Sequence, residues 1–163
     1  MARVSKPNYY LDIAQTVAKR STCLRRHFGS IIVKNDIIIS TGYNGAPRGR
    51  KNCDERGDCL RNELQIPRGE RYEICRSVHA EANAMIAASR DQMLGATMYS
   101  VCVDADSGKI LPTTSSCAMC RRLIINAGIK RVIQRETRDQ FTIYDVQEWI
   151  DNDESVTGVG GYS

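Results

Sequence analysis

The chain has 163 residues, of which 42% are apolar and 26% charged, the proportions of one compact soluble domain with its own core. No stretch approaches the roughly 18 to 20 apolar residues of a membrane helix, and the opening residues MARVSKPNYY lack the apolar run of a secretory signal, so a cytoplasmic protein is expected. The net charge of +4 suits an anionic ligand, but the basic residues are scattered, which argues against nucleic acid as partner.

In chain order, apolar residues at Leu11, Ile13, Ala14, Val17 and Ala18 recur with a helical period and predict a helix over Tyr9–Lys19. The β-branched runs Ser30–Val33 and Ile37–Thr41, separated by Lys34-Asn35-Asp36, predict a hairpin. Gly42 to Cys75 is rich in Gly, Asn, Arg and Pro and reads as a long loop with a short helix near Cys59–Leu64; loops of this length are usually functional or held by a metal. A helix is expected over His79–Arg90, then a strand over Ala96–Val103, a turn over Asp104–Gly108 and a short run at Lys109–Leu111. Cys117–Ala127 predicts a helix capped by Gly128, followed by a strand over Lys130–Gln134 and a last helix over Ile143–Asp151. This order predicts an α/β fold: a mixed sheet with helices on both faces, in a single domain over 1–163, with a frayed tail over 156–163.

Seven cysteines is an odd number, and in a reducing compartment closely spaced cysteines bind metal or do chemistry more often than they form disulfides. His79-Ala80-Glu81 and Cys117-Ala118-Met119-Cys120 each open a predicted helix. One histidine and two cysteines make three zinc ligands and leave the fourth tetrahedral position to water, the arrangement of a catalytic zinc. The Cys117-x-x-Cys120 spacing lets both sulfurs reach one ion from a first helical turn, where the helix dipole favours thiolate. Glu81, two residues beyond His79, belongs beside the metal, where it can take a proton from activated water and pass it on as general acid and base. The competing reading is a zinc-stabilised binding module without catalysis; such a ribbon would want a second close cysteine pair and would have no use for Glu81.

H-A-E followed by C-x-x-C resembles the motif pair of the zinc nucleobase deaminases. Ser40-Thr41-Gly42-Tyr43-Asn44-Gly45-Ala46-Pro47-Arg48-Gly49, the block His79–Ala84 and the block Leu123–Lys130 narrow the resemblance to the cytidine and deoxycytidylate deaminase family, over about residues 8–135. That resemblance implies a three-layer α/β/α cytidine deaminase-like fold around a mixed five-stranded sheet, and deamination of dCMP to dUMP in supply of thymidylate. Cytidine, dCTP, a modified dCMP, guanine or an RNA base are alternative substrates. It further implies Zn2+ at His79, Cys117 and Cys120, proton transfer by Glu81, and substrate contact by Asn44, on the sugar, and Ala80. The phosphate would fall to arginines drawn from Arg20, Arg25, Arg26, Arg48, Arg50 and Arg76. A second, structural zinc at Cys23, Cys53, Cys59 and Cys75 is implied for some members, with four free or buried thiols as the alternative; Cys102 reads as core. The family is also homo-oligomeric, the hexamer being one form, and takes dCTP as activator and dTTP as inhibitor through the Gly42–Gly49 region. The chain departs from the pattern in two places: Ser116 stands where the family has proline, and Cys102–Thr114 is an insertion resembling an extra hairpin.

Overall fold

The computed structural model describes residues 1–112 and 115–152. The first helix, α1 (Lys6–Ala18), begins earlier than its apolar period because Ser5 caps it and Pro7 sits in its first turn. β1 (Arg26–Lys34) and β2 (Ile37–Tyr43) form the expected hairpin. Asn35 and Asp36 both take left-handed φ, 52° and 62°, the turn whose twist matches that of the flanking strands. The long loop contains α2 (Cys53–Arg56), α3 (Leu60–Glu63) and a 3₁₀ turn at Tyr72–Ile74. It is organised by polar contacts: Asn52 Oδ1 accepts from the Thr22 hydroxyl and the Ala46 amide, and Glu55 accepts from the Asn52 amide.

The helix expected over His79–Arg90 is broken. α4 (Ala80–Ile86) closes at Ala87, and Ser89 with Gln92 forms a capping box that starts α5 (Arg90–Met93). β3 (Thr97–Asp104), α6 (Ala118–Ala127) ending at Gly128 with φ 80°, and β4 (Arg131–Arg135) follow the sequence closely. The last helix does not start at Ile143: Phe141–Asp145 is a fifth strand, β5, and α7 (Val146–Asp151) begins where Asp145 caps it. The run Lys109–Leu111 reduces to a single bridge between Val103 and Ile110, and the end of the expected extra hairpin at Thr114 lies outside the described residues, as does the tail over 156–163.

The sheet order is β2-β1-β3-β4-β5, antiparallel throughout except for the parallel pair β3 and β4. Side chains alternate across it. Ile31, Val33, Tyr99, Val101, Val103 and Ile133 pack under α1, while Ile32, Met98 and Val132 meet α4 to α7 on the other face. The result is three layers, α/β/α. Two glycines set the layer spacing: a Cβ on Gly29 would stand 2.1 Å from the Ala14 carbonyl oxygen in α1, and one on Gly42 would stand 2.4 Å from the Ala80 oxygen and the Ala84 nitrogen in α4. β2 and α4 are further joined by the Ser40 hydroxyl, which donates to the Ala84 carbonyl at 2.7 Å. Among the described residues no helix is long and apolar enough to cross a membrane.

Candidate active site

The N-termini of α4 and α6 meet over the sheet. His79 is the N-cap residue of α4 and Cys117 that of α6, so each side chain leaves its helix where backbone N–H groups are unpaired and the dipole is positive. Cys120 follows one turn into α6 and is 2% exposed. His79 Nδ1 lies 3.4 Å from the sulfur of Cys117 and 3.4 Å from that of Cys120, and the three donor atoms fall within 4.8 Å of one another. Ligand bonds of about 2.3 Å to sulfur and about 2.0–2.1 Å to nitrogen at a tetrahedral angle put those atoms about 3.5 Å apart, so the donor set fits zinc as it stands.

Without a metal, the electrostatics favour one thiolate in the cluster, that of Cys117. The Cys117 thiol is pulled down to about 4, first by the hydrogen bond from Cys120 and, against the penalty of burial, by His79; Cys120, the donor, is pushed up. Burial pulls His79 down, but the contact with Cys117 and the charges of Glu81 and Cys117 outweigh it, and the net shift is upward. Glu81 is 8% exposed, and burial pushes its carboxyl up, only partly offset by His79. A carboxyl held up by burial takes and returns protons more readily near neutral pH than a solvated one.

His79, Glu81 and Cys117, together with Asn44 and Ala80, line a pocket of about 1000 Å³ including its open mouth. The Asn44 carboxamide is fixed: its Oδ1 accepts from the Ser21 hydroxyl at 2.5 Å and the Phe28 amide at 2.8 Å, and its Nδ2 donates to the Arg26 carbonyl at 3.0 Å. One Nδ2 hydrogen is left for a ligand. Ser116 is 5% exposed; its hydroxyl has no partner of normal geometry, yet it approaches Glu81 closely enough to favour the carboxylate slightly.

Of the loop cysteines, Cys23, Cys59 and Cys75 line the same pocket, and burial together with these three thiols pushes the buried Cys53 up. Among the described residues no three of these four sulfurs converge as His79, Cys117 and Cys120 do. Cys102 is fully buried in the core and its thiol is pushed up to about 12 by burial. Of the arginines expected near the phosphate, Arg25 and Arg26 line the pocket; Arg20, Arg48, Arg50 and Arg76 do not, and Arg76 donates to the Lys51 carbonyl.

The profile of the cytidine and deoxycytidylate deaminase zinc-binding region matches residues 4–136, which hold every residue of this constellation. The chain belongs to this family. Deaminases similar to it include the deoxycytidylate deaminase of Schizosaccharomyces pombe, 35% identical over 131 residues, which cover 80% of this chain and 37% of the yeast protein. That of Mycobacterium phage D29 is 36% identical over 138 residues, covering 82% of this chain and 96% of the phage protein. This chain thus spans the length of the phage deaminase but under half that of the yeast one. The dCMP deaminase of cyanophage S-TIM5 in apo form superposes with a TM-score of 0.55 at 27% identity, over 79% of this chain and 81% of that one. The same cyanophage enzyme in complex with dCMP and dUMP shares the fold at a TM-score of 0.56 and 22% identity, over 99% and 97% of the two chains.

Three features of this deaminase site are not legible in its motifs. Tyr72 packs edge-on against the His79 ring at 5.5 Å and 82°. The Arg61 guanidinium lies 4.5 Å from the centre of the Tyr72 ring. Arg61 and Arg68, both from the long loop, join Arg25 and Arg26 in the pocket wall. No periodicity marks these residues; their only signal was the unusual length of the loop.

Proposed function

We propose that the chain, as a single deaminase domain, hydrolyses dCMP to dUMP and ammonia. The observation that carries this is the convergence of His79, Cys117 and Cys120 beside the buried Glu81 in an open pocket, in a chain whose relatives at 35% and 36% identity are named deoxycytidylate deaminases. When bound by His79, Cys117 and Cys120, zinc supplies Lewis-acid activation of water. Glu81 would take the two protons of the attacking water in turn, passing one to the ring nitrogen and one to the departing amino group; the ring carbon gains the oxygen as its bond to the amino nitrogen breaks, so water and dCMP give dUMP and ammonia. Asn44, fixed by Ser21 and Phe28, offers its remaining N–H to the deoxyribose, and the Ala80 backbone at the start of α4 meets the base. Tyr72 supports the orientation of His79, as partners beyond the ligands do in metal sites.

The product would feed thymidylate synthesis in the cytoplasm. The family reading adds a homo-oligomer with dCTP and dTTP as effectors near Gly42–Gly49, read by sedimentation and by turnover with each triphosphate. A second zinc on Cys23, Cys53, Cys59 and Cys75 requires those sulfurs to draw together, which metal binding can drive. The deciding experiment is ammonia release by the purified protein with dCMP, dCTP, deoxycytidine, CMP, adenosine and guanine, with zinc measured on the same sample. Preferred turnover of dCMP supports the assignment; bound zinc without turnover of any substrate makes the chain a binding module, and two zincs per chain support the site on the loop cysteines.

A further inference from the structure

A guanidinium taken out of water without a carboxylate keeps a charge that something else must neutralise. Arg61 is such a group. It is 5% exposed, and its Nη2 donates to the carbonyls of Pro67 at 2.9 Å and Glu70 at 2.8 Å, which carry no net charge. Its Nε is buried with no hydrogen-bond partner, and none of the ion pairs among the described residues involves it. The Tyr72 face on which it rests stabilises a cation but leaves the charge in place. Arg25, Arg26 and Arg68 stand in the same pocket wall, equally without ion pairs among the described residues, and the acid among its lining residues is Glu81.

The position suits one part of the substrate. The Arg61 guanidinium lies 4.5 Å from the Tyr72 ring centre, and that ring lies 5.5 Å from the His79 ring, so the cation stands at most 10.0 Å from His79. This is the order of distance from the reacting ring carbon of a cytosine nucleotide to its 5′-phosphate. Arg61 is held from one side by Pro67 and Glu70 and from another by Tyr72, so its fork is pre-organised rather than free.

We propose that Arg61, with Arg68 at the pocket mouth, binds the 5′-phosphate of the substrate and makes this chain select nucleoside monophosphates over nucleosides. The inference rests on the dCMP reading above. A phosphate oxygen would accept from the Arg61 N–H groups that open to the pocket, and its charge would offset that of the buried guanidinium. The same cation ties three loop segments to His79 through Tyr72, so the long loop would order around the nucleotide.

The test compares dCMP with deoxycytidine, which differ by the phosphate alone, in the wild-type zinc protein and in Arg61→Gln, Arg61→Lys and Arg68→Gln. Losing a charge-assisted hydrogen bond to phosphate lowers the dCMP over deoxycytidine ratio of kcat/KM by about 10- to 100-fold in Arg61→Gln, with part of the ratio kept in Arg61→Lys. Arg68 is exposed, so Arg68→Gln keeps the fold and lowers the ratio by itself if Arg61→Gln does not fold. A structural clamp would lower both substrates alike. If the wild type prefers dCMP and the variants keep its ratio, the phosphate assignment is overturned while the substrate stands. If the wild type shows no preference for dCMP, the substrate reading falls and this inference with it.

Discussion

Gly42→Ala tests how tightly the site depends on one contact between sheet and helix. The new Cβ would stand 2.4 Å from two backbone atoms of α4, the Ala80 oxygen and the Ala84 nitrogen, whereas ordinary contact begins at 3.4 Å. No flexible side chain is available to yield, so α4 must withdraw by about 1.0 Å, the difference of those two distances. α4 carries His79 at its N-cap and Glu81 in its first turn, and both would move off Cys117 and Cys120. Overpacking of this kind costs about 1–3 kcal/mol, which in a chain of this size lowers Tm by about 2–12 °C. A misplacement of about 1 Å at the reacting groups lowers kcat on the order of 10²-fold. The assay is kcat at saturating dCMP with zinc content and thermal melting on the same preparations. Gly29→Ala is the control, because its Cβ would press on Ala14 and Ala18 of α1, on the face away from the site. It should lower Tm comparably and leave kcat of the folded protein near that of the wild type. Unchanged kcat in Gly42→Ala, or an equal fall in both variants, would refute the reasoning.

Glu81→Gln should keep the wild-type zinc content and fold while kcat drops by about 10²- to 10⁴-fold; loss of the zinc along with the activity would instead make Glu81 a structural partner of the site. Zinc at 100 to 1,000 times its Kd stabilises by about 2.7–4.1 kcal/mol, so chelation should stop turnover and lower Tm by about 5–16 °C, both restored by added zinc. A Tm indifferent to chelator would remove His79, Cys117 and Cys120 as a metal cross-link between α4 and α6. Asp36 accepts from Lys6 Nζ at 2.8 Å and from the Tyr10 hydroxyl and so ties α1 to the hairpin turn. These hydrogen bonds, Lys6 first, hold the Asp36 carboxyl below its ordinary 3.8, so its contribution is present above that value and lost as pH falls through the lower folded one. The bond to Asp36, then burial, pushes Tyr10 from 10.0 up to about 12, so that contribution is full below pH 10 and lost as pH rises towards 12. Asp36→Asn keeps a residue that tolerates left-handed φ; its stability deficit in urea melts should be flat at neutral pH and shrink towards both limits. A deficit independent of pH would separate these groups from stability.

The elements that sequence located well are those whose determinants are local. The hairpin follows from two β-branched runs and an Asn-Asp pair that accepts left-handed φ, and the end of α6 from Gly128. The zinc donors were legible for a related reason: His79, Glu81, Cys117 and Cys120 sit at fixed spacings on helix N-termini, so two short segments specify most of the constellation. Whether the segments meet was not local, and the sheet decided it. The helix expected over Ile143–Asp151 takes in the second half of β5; Phe141–Tyr144 is a run of strand-favouring residues, and it pairs along β4 from Arg131 to Arg135. The single helix expected from His79 to Arg90 failed at Ala87–Ser89, where capping by Ser89 and Gln92 overrode an alanine-rich stretch that favours continuation. By itself, then, the sequence named the donor set that converges, His79, Cys117 and Cys120, and the carboxyl beside it, because zinc-ligand chemistry admits few residue types. The tertiary structure decided what surrounds them: Asn44 locked by Ser21 and Phe28, Tyr72 against His79, and Arg61 buried on Tyr72 with no ion pair among the described residues. Those contacts join residues with no common period or motif, and only the folding of the long loop over the helix termini brings them together.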